Sequence, residues 1–135
     1  MILVQLENEY GYYGNDTAYL EFLRDTLREL GVTVPFVTSD GPWSEPKFKS
    51  GMLNGALPTG NFGSGAEWQF GQMRKYIGEN KPLMCMEFWN GWFDHWGEEH
   101  HTRAADDVAQ ELDAMLKTGA SVNFFVFCGG TNFGF

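Results

Sequence analysis

The sequence is poor in positive charge, in cysteine and in long apolar runs. It contains nine Lys and Arg residues against 18 Asp and Glu, which gives a formal net charge of −9 at pH 7. Phosphate recognition requires a basic surface, so this balance argues against a nucleic-acid partner. Without a run of about 18 apolar residues, no membrane span is predicted. The two cysteines, Cys85 and Cys128, lack metal or redox spacing and are predicted to be free thiols.

Aromatic residues are abundant by comparison, at 16% of the 135 residues. With 43% hydrophobic and 20% charged residues, the composition is that of a globular chain, either one domain or part of a larger one. Aromatic side chains in this number often line a site for a ligand with flat apolar faces. A neutral ligand of that kind suits an acidic chain better than a nucleic acid does.

Five apolar runs are typical of buried strands. They are MILVQL at 1–6, VTVPFVTSD at 32–40, ALPTGNFG at 56–63, PLMCMEF at 82–88 and ASVNFFVF at 120–127. Their alternation with amphipathic helices predicts an α/β fold with a parallel sheet. The stretch 41–55 is rich in Gly, Pro and Lys, and we predict irregular structure there while leaving a further helix open.

The first predicted helix begins at Asp16 or Thr17, either of which can cap it, and ends before Gly31. Its apolar face is formed by leucines at helical spacing: Leu20, Leu23, Leu27 and Leu30.

Two more helices are predicted further along the chain. Ser64 and Glu67 form a capping-box pattern that would open a helix running to about Ile77. Thr102 would cap the last helix, which closes at Gly119.

Two of the predicted strands end in a glutamate, Glu9 after the first run and Glu87 in the fourth. A charge at the mouth of a buried strand is costly unless it has a task. In parallel α/β folds the carboxyl ends of the strands carry the active site. The separation of the two glutamates suits three strand-to-strand steps of a (β/α)8 barrel, which uses roughly 31 residues per step.

Two carboxylates on facing strand ends are what glycoside hydrolysis requires. One must be protonated to assist the leaving oxygen, and the other must be ionised. At a separation of about 5–5.5 Å the anion attacks the sugar directly and the configuration is retained. Trp89 and Trp92, just past Glu87, would supply flat faces for a sugar ring.

Three motifs closely resemble the glycoside hydrolase family 35 β-galactosidases: NEYG at 8–11, EFWNGWFDHWG at 87–97 and GASVNFFVFCGGTNFG at 119–134. The resemblance implies retaining hydrolysis of terminal β-linked galactose on a (β/α)8 barrel, of which the chain would cover strands four to eight. It implies no cofactor and no metal.

Matched by position, Glu9 resembles the acid/base of that family and Glu87 the nucleophile. Asn8 resembles the asparagine that binds the sugar 2-OH, and Glu7, pointing the opposite way in a strand, is expected to be a structural partner. The resemblance makes Trp89 and Phe125 substrate-binding positions, although many members carry Tyr at both.

A metal site is the less favoured interpretation of the acidic and histidine-rich loop, because adjacent histidines are poorly placed to ligate one ion and the chemistry needs none. The residues concerned are Asp94, His95, Glu98, Glu99, His100 and His101.

From the resemblance we expect residues 1–135 to be the C-terminal part of one catalytic barrel, truncated at both ends. Its partner would be a galactose-terminated oligosaccharide or glycoconjugate, and the missing barrel half or self-association would be needed. We expect a periplasmic or secreted location. Two alternatives stay open: another retaining β-glycosidase of the same barrel clan, acting on glucosides or mannosides, and a catalytically dead galactoside-binding module.

Overall fold

The sheet contains five parallel strands, which pair in the same order as they occur in the chain. In a computed structural model that describes residues 1–130, they are β1 (Val4–Gln5), β2 (Phe36–Asp40), β3 (Ala56–Phe62), β4 (Met84–Trp89) and β5 (Ser121–Phe125). Helices alternate with the strands, which confirms the α/β fold and gives a half-barrel consistent with part of a (β/α)8 barrel.

Four α-helices lie between the strands, preceded by one short 3₁₀ turn at Tyr10–Tyr12. They are α1 (Thr17–Glu29), α2 (Glu45–Gly51), α3 (Ala66–Ile77) and α4 (Ala105–Lys117).

The helix α2 lies in the stretch 41–55, where irregular structure was predicted and a further helix was left open, so the irregular alternative is wrong over Glu45–Gly51. Pro46 stands in the first turn, where its missing N–H costs no hydrogen bond. Glu45 pairs with Lys49 one turn on, at 2.7 Å. The short helix is anchored by the fully buried side chain of Phe48.

The predicted ends of α1 are confirmed. The Asp16 side chain accepts a hydrogen bond from the Tyr19 N–H at 3.2 Å, as an N-cap should. At the other end Gly31 has φ 91°, and its N–H bonds the Arg28 carbonyl while Val32 N–H bonds that of Leu27. This is the Schellman arrangement, which a residue in the left-handed region makes possible.

The predicted caps of α3 and α4 are wrong. Gly65 is the N-cap of α3, and the first free N–H, that of Ala66, donates to Glu111 Oε1 of α4 at 2.6 Å. A carboxylate from a neighbouring helix thus takes the place of the capping box predicted for Ser64 and Glu67. The helix α4 begins only at Ala105, without a side-chain cap.

Strands β1 and β2 are shorter than predicted. The Leu6 N–H still donates to the Val37 carbonyl at 2.8 Å, but regular pairing on β1 stops at Gln5 because Glu7 has φ 59° and turns the chain. Strand β4 extends one residue beyond the predicted end, to Trp89.

Apolar side chains form two buried clusters. The larger joins α2, α3, α4, β3 and β4 and contains Phe48, Phe62, Ala66, Phe70, Met73, Leu83, Cys85, Phe88, Met115 and Ala120. The smaller contains Leu6, Leu20, Phe36 and Leu53. Cys85 and Cys128 are both free, as predicted, the first buried and the second exposed. In the part of the chain that is described, no helix is long and apolar enough to cross a membrane.

Among residues 1–130, five polar side chains are also buried, all of them on β2 and β3: Thr38, Ser39, Asp40, Thr59 and Asn61. Burying polar groups is costly unless they are hydrogen-bonded. Their concentration on two neighbouring strands therefore indicates a functional interior rather than a packed apolar core.

Candidate active site

Glu9 lies on a tight turn rather than in an extended strand end. Its backbone has φ 52° and ψ 34°, in the left-handed region, and its N–H donates to the Ser39 carbonyl at 2.8 Å. A residue with a side chain is strained there by on the order of 1–3 kcal/mol, and such strain is concentrated at functional sites. The turn then continues directly into the 3₁₀ segment Tyr10–Tyr12.

The Glu9 carboxylate is held by Asn61 of β3. Asn61 Nδ2 donates to Glu9 Oε1 at 3.3 Å, and Asn61 Oδ1 accepts from the Ser39 hydroxyl. Asn61 is also the register partner of Glu87 on β4, beside an irregularity of the β3–β4 pairing. Asn61 therefore connects the strand of one glutamate to the side chain of the other.

Glu87 is half-buried on β4, and Trp89 Nε1 donates to its Oε2 at 3.0 Å. Burial raises the pKa of Glu87, the Trp89 hydrogen bond opposes that rise, and the charge of Glu9 adds to it. The structure thus brings the two sequence-predicted carboxylates into electrostatic contact, as a site with one acid and one anion requires.

Asp40, at the carboxyl end of β2, is a third carboxyl group near Glu9. Burial raises its pKa to about 7; a hydrogen bond from the Gly11 N–H to Oδ1, at 3.3 Å, opposes this, and the charge of Glu9 adds to the rise. Gly51 of α2 leaves room for this carboxyl group, because a Cβ there would fall 2.2 Å from Asp40 Oδ2.

Four aromatic rings form a continuous row beside the carboxylates. Tyr12 packs on Trp43 with ring centroids 5.7 Å apart, Trp43 on Trp89 at 6.1 Å, and Trp89 on Trp92 at 5.5 Å. A cleft of about 460 Å³ opens along the three tryptophans. Arg103 Nη1 closes its base by donating to the carbonyls of Gly63 and Trp89, both at 2.6 Å.

The remaining predicted site residues lie at the rim of this region. Asn8 is exposed, and its Oδ1 accepts from Gln5 Nε2 at 2.9 Å. Phe125, half exposed, ends β5 in register with Trp89. Glu7 was expected in a strand, but it does not lie in one. It accepts a hydrogen bond from the Tyr19 hydroxyl and so contacts helix α1.

The histidine-rich loop is an exposed, internally bonded structure. Asp94 accepts from the His101 N–H at 2.7 Å and also contacts the Nδ1 atoms of His101 and His100, at 2.7 and 2.6 Å. These contacts hold the pKa of Asp94 well below its usual range. The hydrogen bond from the His101 N–H has the largest effect, and the histidine side chains add to it. Within residues 1–130 no group of three or more His, Cys, Asp or Glu side chains is placed to hold a metal ion.

Four site residues were missed by sequence reasoning: Ser39, Asp40, Trp43 and Asn61. Asp40 and Asn61 obey the rule that selected Glu9 and Glu87, since each is a polar residue at the carboxyl end of a strand. Trp43 had only its aromatic character as a signal. The third motif that resembles family 35, at 119–134, ends outside the described residues, at 131–134.

A half-barrel with acidic side chains gathered at its carboxyl edge belongs to the class of (β/α)8-barrel proteins. The family model of glycosyl hydrolases family 35 matches residues 1–135, so the chain belongs to that family.

Named relatives are similar over the whole chain. The human protein called beta-galactosidase is 42% identical over 138 residues, the mouse beta-galactosidase-1-like protein 41% over 139, and the human beta-galactosidase-1-like protein 3 39% over 135. Each alignment covers 100% of this chain. The chain spans about a fifth of the length of these relatives, 20–21%.

Proposed function

We propose that the chain is the part of a retaining β-galactosidase that carries both catalytic carboxylates. The link between Glu9 and Glu87 through Asn61 supports this most directly, because Asn61 pairs in register with Glu87 and donates to Glu9 Oε1 at 3.3 Å. Membership of family 35 and similarity to proteins named beta-galactosidase support the choice of galactosides as substrates.

Glu87 is the nucleophile in this proposal and Glu9 the acid/base. The Glu87 carboxylate attacks the anomeric carbon while Glu9 gives its proton to the glycosidic oxygen, and the bond between that carbon and oxygen breaks. In the second step Glu9 takes a proton from water, the water oxygen attacks the anomeric carbon, and Glu87 leaves as a carboxylate. Two inversions at one carbon give net retention.

The hydrogen bond from Trp89 suits the role of Glu87. Its Nε1–H lies 3.0 Å from Glu87 Oε2 and stabilises the ionised form that a nucleophile needs. Burial acts against ionisation, so the indole keeps the carboxylate usable in a partly water-excluded position.

Four further residues are proposed to bind the sugar. The Asn8 amide oxygen accepts from Gln5, and its NH₂ group is proposed to donate to a sugar hydroxyl. Trp89 and Trp92 offer indole faces, and Trp92 is 54% exposed. Phe125 contributes an apolar ring next to Trp89 without a hydroxyl to hydrogen-bond.

The site is proposed to be closed by further strands, either the missing barrel half or a second copy of the chain. In the described part of the sheet β1 pairs only with β2, and β5 only with β4. Strand edges of this kind present unpaired backbone groups that bind another strand.

Intact-mass measurement after incubation with a 2-deoxy-2-fluoro-β-galactosyl donor tests the proposal. We expect a mass gain of one fluorosugar that is absent in Glu87→Gln, since the amide is not a nucleophile. The measurement is made on the chain alone and on the chain completed with the N-terminal barrel strands. A completed, folded protein that forms no adduct contradicts the proposal.

A panel of aryl β-glycosides separates the alternatives. Faster turnover of glucosides or mannosides than of galactosides would indicate another retaining β-glycosidase. Binding of galactosides with no turnover would indicate a binding module in which the two glutamates no longer react.

A further inference from the structure

Asn61 is a fully buried amide that bonds on both sides. Its exposed fraction is 0%, its Nδ2 donates to Glu9 Oε1 at 3.3 Å, and its Oδ1 accepts from the Ser39 hydroxyl. The carboxylate of Glu9 fixes which end of the amide faces it, because an ionised carboxylate only accepts hydrogen bonds, and the Ser39 hydroxyl, which can donate or accept, then donates to the amide oxygen. The NH₂ group is therefore directed at Glu9.

Ser39 holds the acidic residue at a second point. Its backbone carbonyl accepts from the Glu9 N–H at 2.8 Å, while its hydroxyl bonds Asn61. One residue of β2 thus fixes the backbone of Glu9 directly and its carboxylate through Asn61. Two attachment points are what a carboxylate on a strained turn needs in order to keep one orientation.

A neutral side chain at position 61 also has an electrostatic consequence. Asn61 stands in register with Glu87 and touches Glu9, and Asp40 is a third acidic group close by. A carboxylate in its place would add a negative charge among these acids and oppose ionisation of each. The amide instead offers a donor to the ionised form of Glu9 without adding charge.

We infer that Asn61, held by Ser39, is a positioning residue for Glu9: it orients the Glu9 carboxylate towards the leaving oxygen. The inference rests on the proposed function insofar as Glu9 is the acid/base. It assigns Asn61 no contact with the sugar.

Three variants test this, with one control. Asn61→Ala removes the donor, Asn61→Asp replaces it by a charge of nearly the same shape, and Ser39→Ala frees the amide while leaving Asn61 in place. Thr59→Val is the control, because Thr59 is equally buried on the same strand but its hydroxyl donates to the Thr38 carbonyl, away from Glu9.

The first readout is the position of the Glu9 side chain in crystal structures of the folded variants. We expect the Glu9 carboxylate to leave its place beside position 61 in Asn61→Ala and Asn61→Asp, and to keep it in Thr59→Val. A Glu9 carboxylate that stays in place in both Asn61→Ala and Ser39→Ala overturns the inference, whether or not the protein hydrolyses anything.

The second readout is kcat/KM for two galactosides in the completed barrel. Phenyl galactoside needs an acid to leave, whereas the 2,4-dinitrophenyl compound does not. We expect Asn61→Ala to lose about tenfold on the first and to keep its rate on the second within about twofold. Equal losses on both would mean a merely structural residue. Absence of turnover in the unaltered protein would contradict the proposed function alone, and the position of the Glu9 side chain in the variants would still decide the role of Asn61.

Discussion

The turn that carries Glu9 and the strand that carries Glu87 are held by different interactions. Glu87 lies within β4, which pairs with β3 on one side and β5 on the other. Glu9 has a left-handed backbone held by the Ser39 carbonyl, with its carboxylate held by Asn61. A strand keeps a residue in place through many backbone bonds, while a turn depends on a few specific contacts. The orientation of Glu9 should therefore be the more sensitive of the two to substitutions outside the pair.

The largest effect is expected where α2 packs against the turn. A Cβ at Gly11 would fall 1.8 Å from the Lys47 carbonyl oxygen, so Gly11→Ala must push the turn away from α2. We expect a loss of about 1–3 kcal/mol in the free energy of unfolding. A displacement of Glu9 by about 1 Å would lower kcat roughly a hundredfold.

Gly71→Ala in α3 is the matched control for Gly11→Ala, because nothing lies within 4 Å of its added Cβ. A helix interior with room for the added methyl group gains about 0.5–1 kcal/mol from the same exchange. Urea unfolding and kcat measured on both variants would show the contrast. Equal behaviour of the two would mean that the turn is not held by α2.

The next effect concerns the buried carboxyl behind the turn. The pKa of Asp40 is raised to about 7 in the folded chain, chiefly by burial, whereas in the unfolded chain it returns to about 4. Between about pH 4 and pH 7, Asp40 is ionised in the unfolded chain but protonated in the folded chain. The free energy of unfolding therefore falls as the pH rises towards 7. Asp40→Asn keeps an acceptor for the Gly11 N–H and removes the ionisation.

Asp40→Asn should therefore stabilise the fold by on the order of 2 kcal/mol above pH 7, and the gain should shrink as the pH falls towards 4. Urea unfolding at several pH values measures it. A gain independent of pH would show that the pKa of Asp40 is not raised in the folded chain.

The smallest effect concerns the strand-borne glutamate. Trp89→Phe removes the Nε1–H that lies 3.0 Å from Glu87 Oε2 but keeps a ring in the aromatic row. Because this bond lowers the pKa of Glu87, its loss should raise that pKa, and the acidic limb of the pH dependence of fluorosugar trapping should move to higher pH. Trp92→Phe, which keeps the bond, should leave the limb in place.

The strand-borne part of the site was the easier to predict from the sequence. Glu87 stands out because a charge interrupts an apolar run, and the parallel order of strands follows from their alternation with helices. The left-handed backbone of Glu9 could not be predicted, because it depends on contacts from β2 and β3 that lie far away in the sequence. For the same reason the cap of α3 was misassigned: Glu111, on another helix, supplies the carboxylate.

The polar residues of β2 and β3 were overlooked for a local reason. VTSD and GNFG lie within the predicted strands 32–40 and 56–63, but Gly, Asn and Asp are depleted in strands, so these residues gave no sign that their side chains would be buried. Burial of Asp40 and Asn61 is decided by the sheet around them. Helix α2 was missed because Pro, Gly and Lys dominate its stretch, although Pro46 stands where a helix accepts it.

The strand order also bears on how the chain reaches this structure. Every strand pairs with the one made just before it: Phe36 lies opposite Ala56, and Met84 opposite Ser121, so no strand has to insert between two that are already joined. Loop closure for each step involves only one helix and its connections, which keeps the entropic barrier of each step low. During synthesis the sheet can grow from β1 towards β5 as residues leave the ribosome. Glu9 would then be in position first, and Glu87 would join it only when β4 pairs with β3.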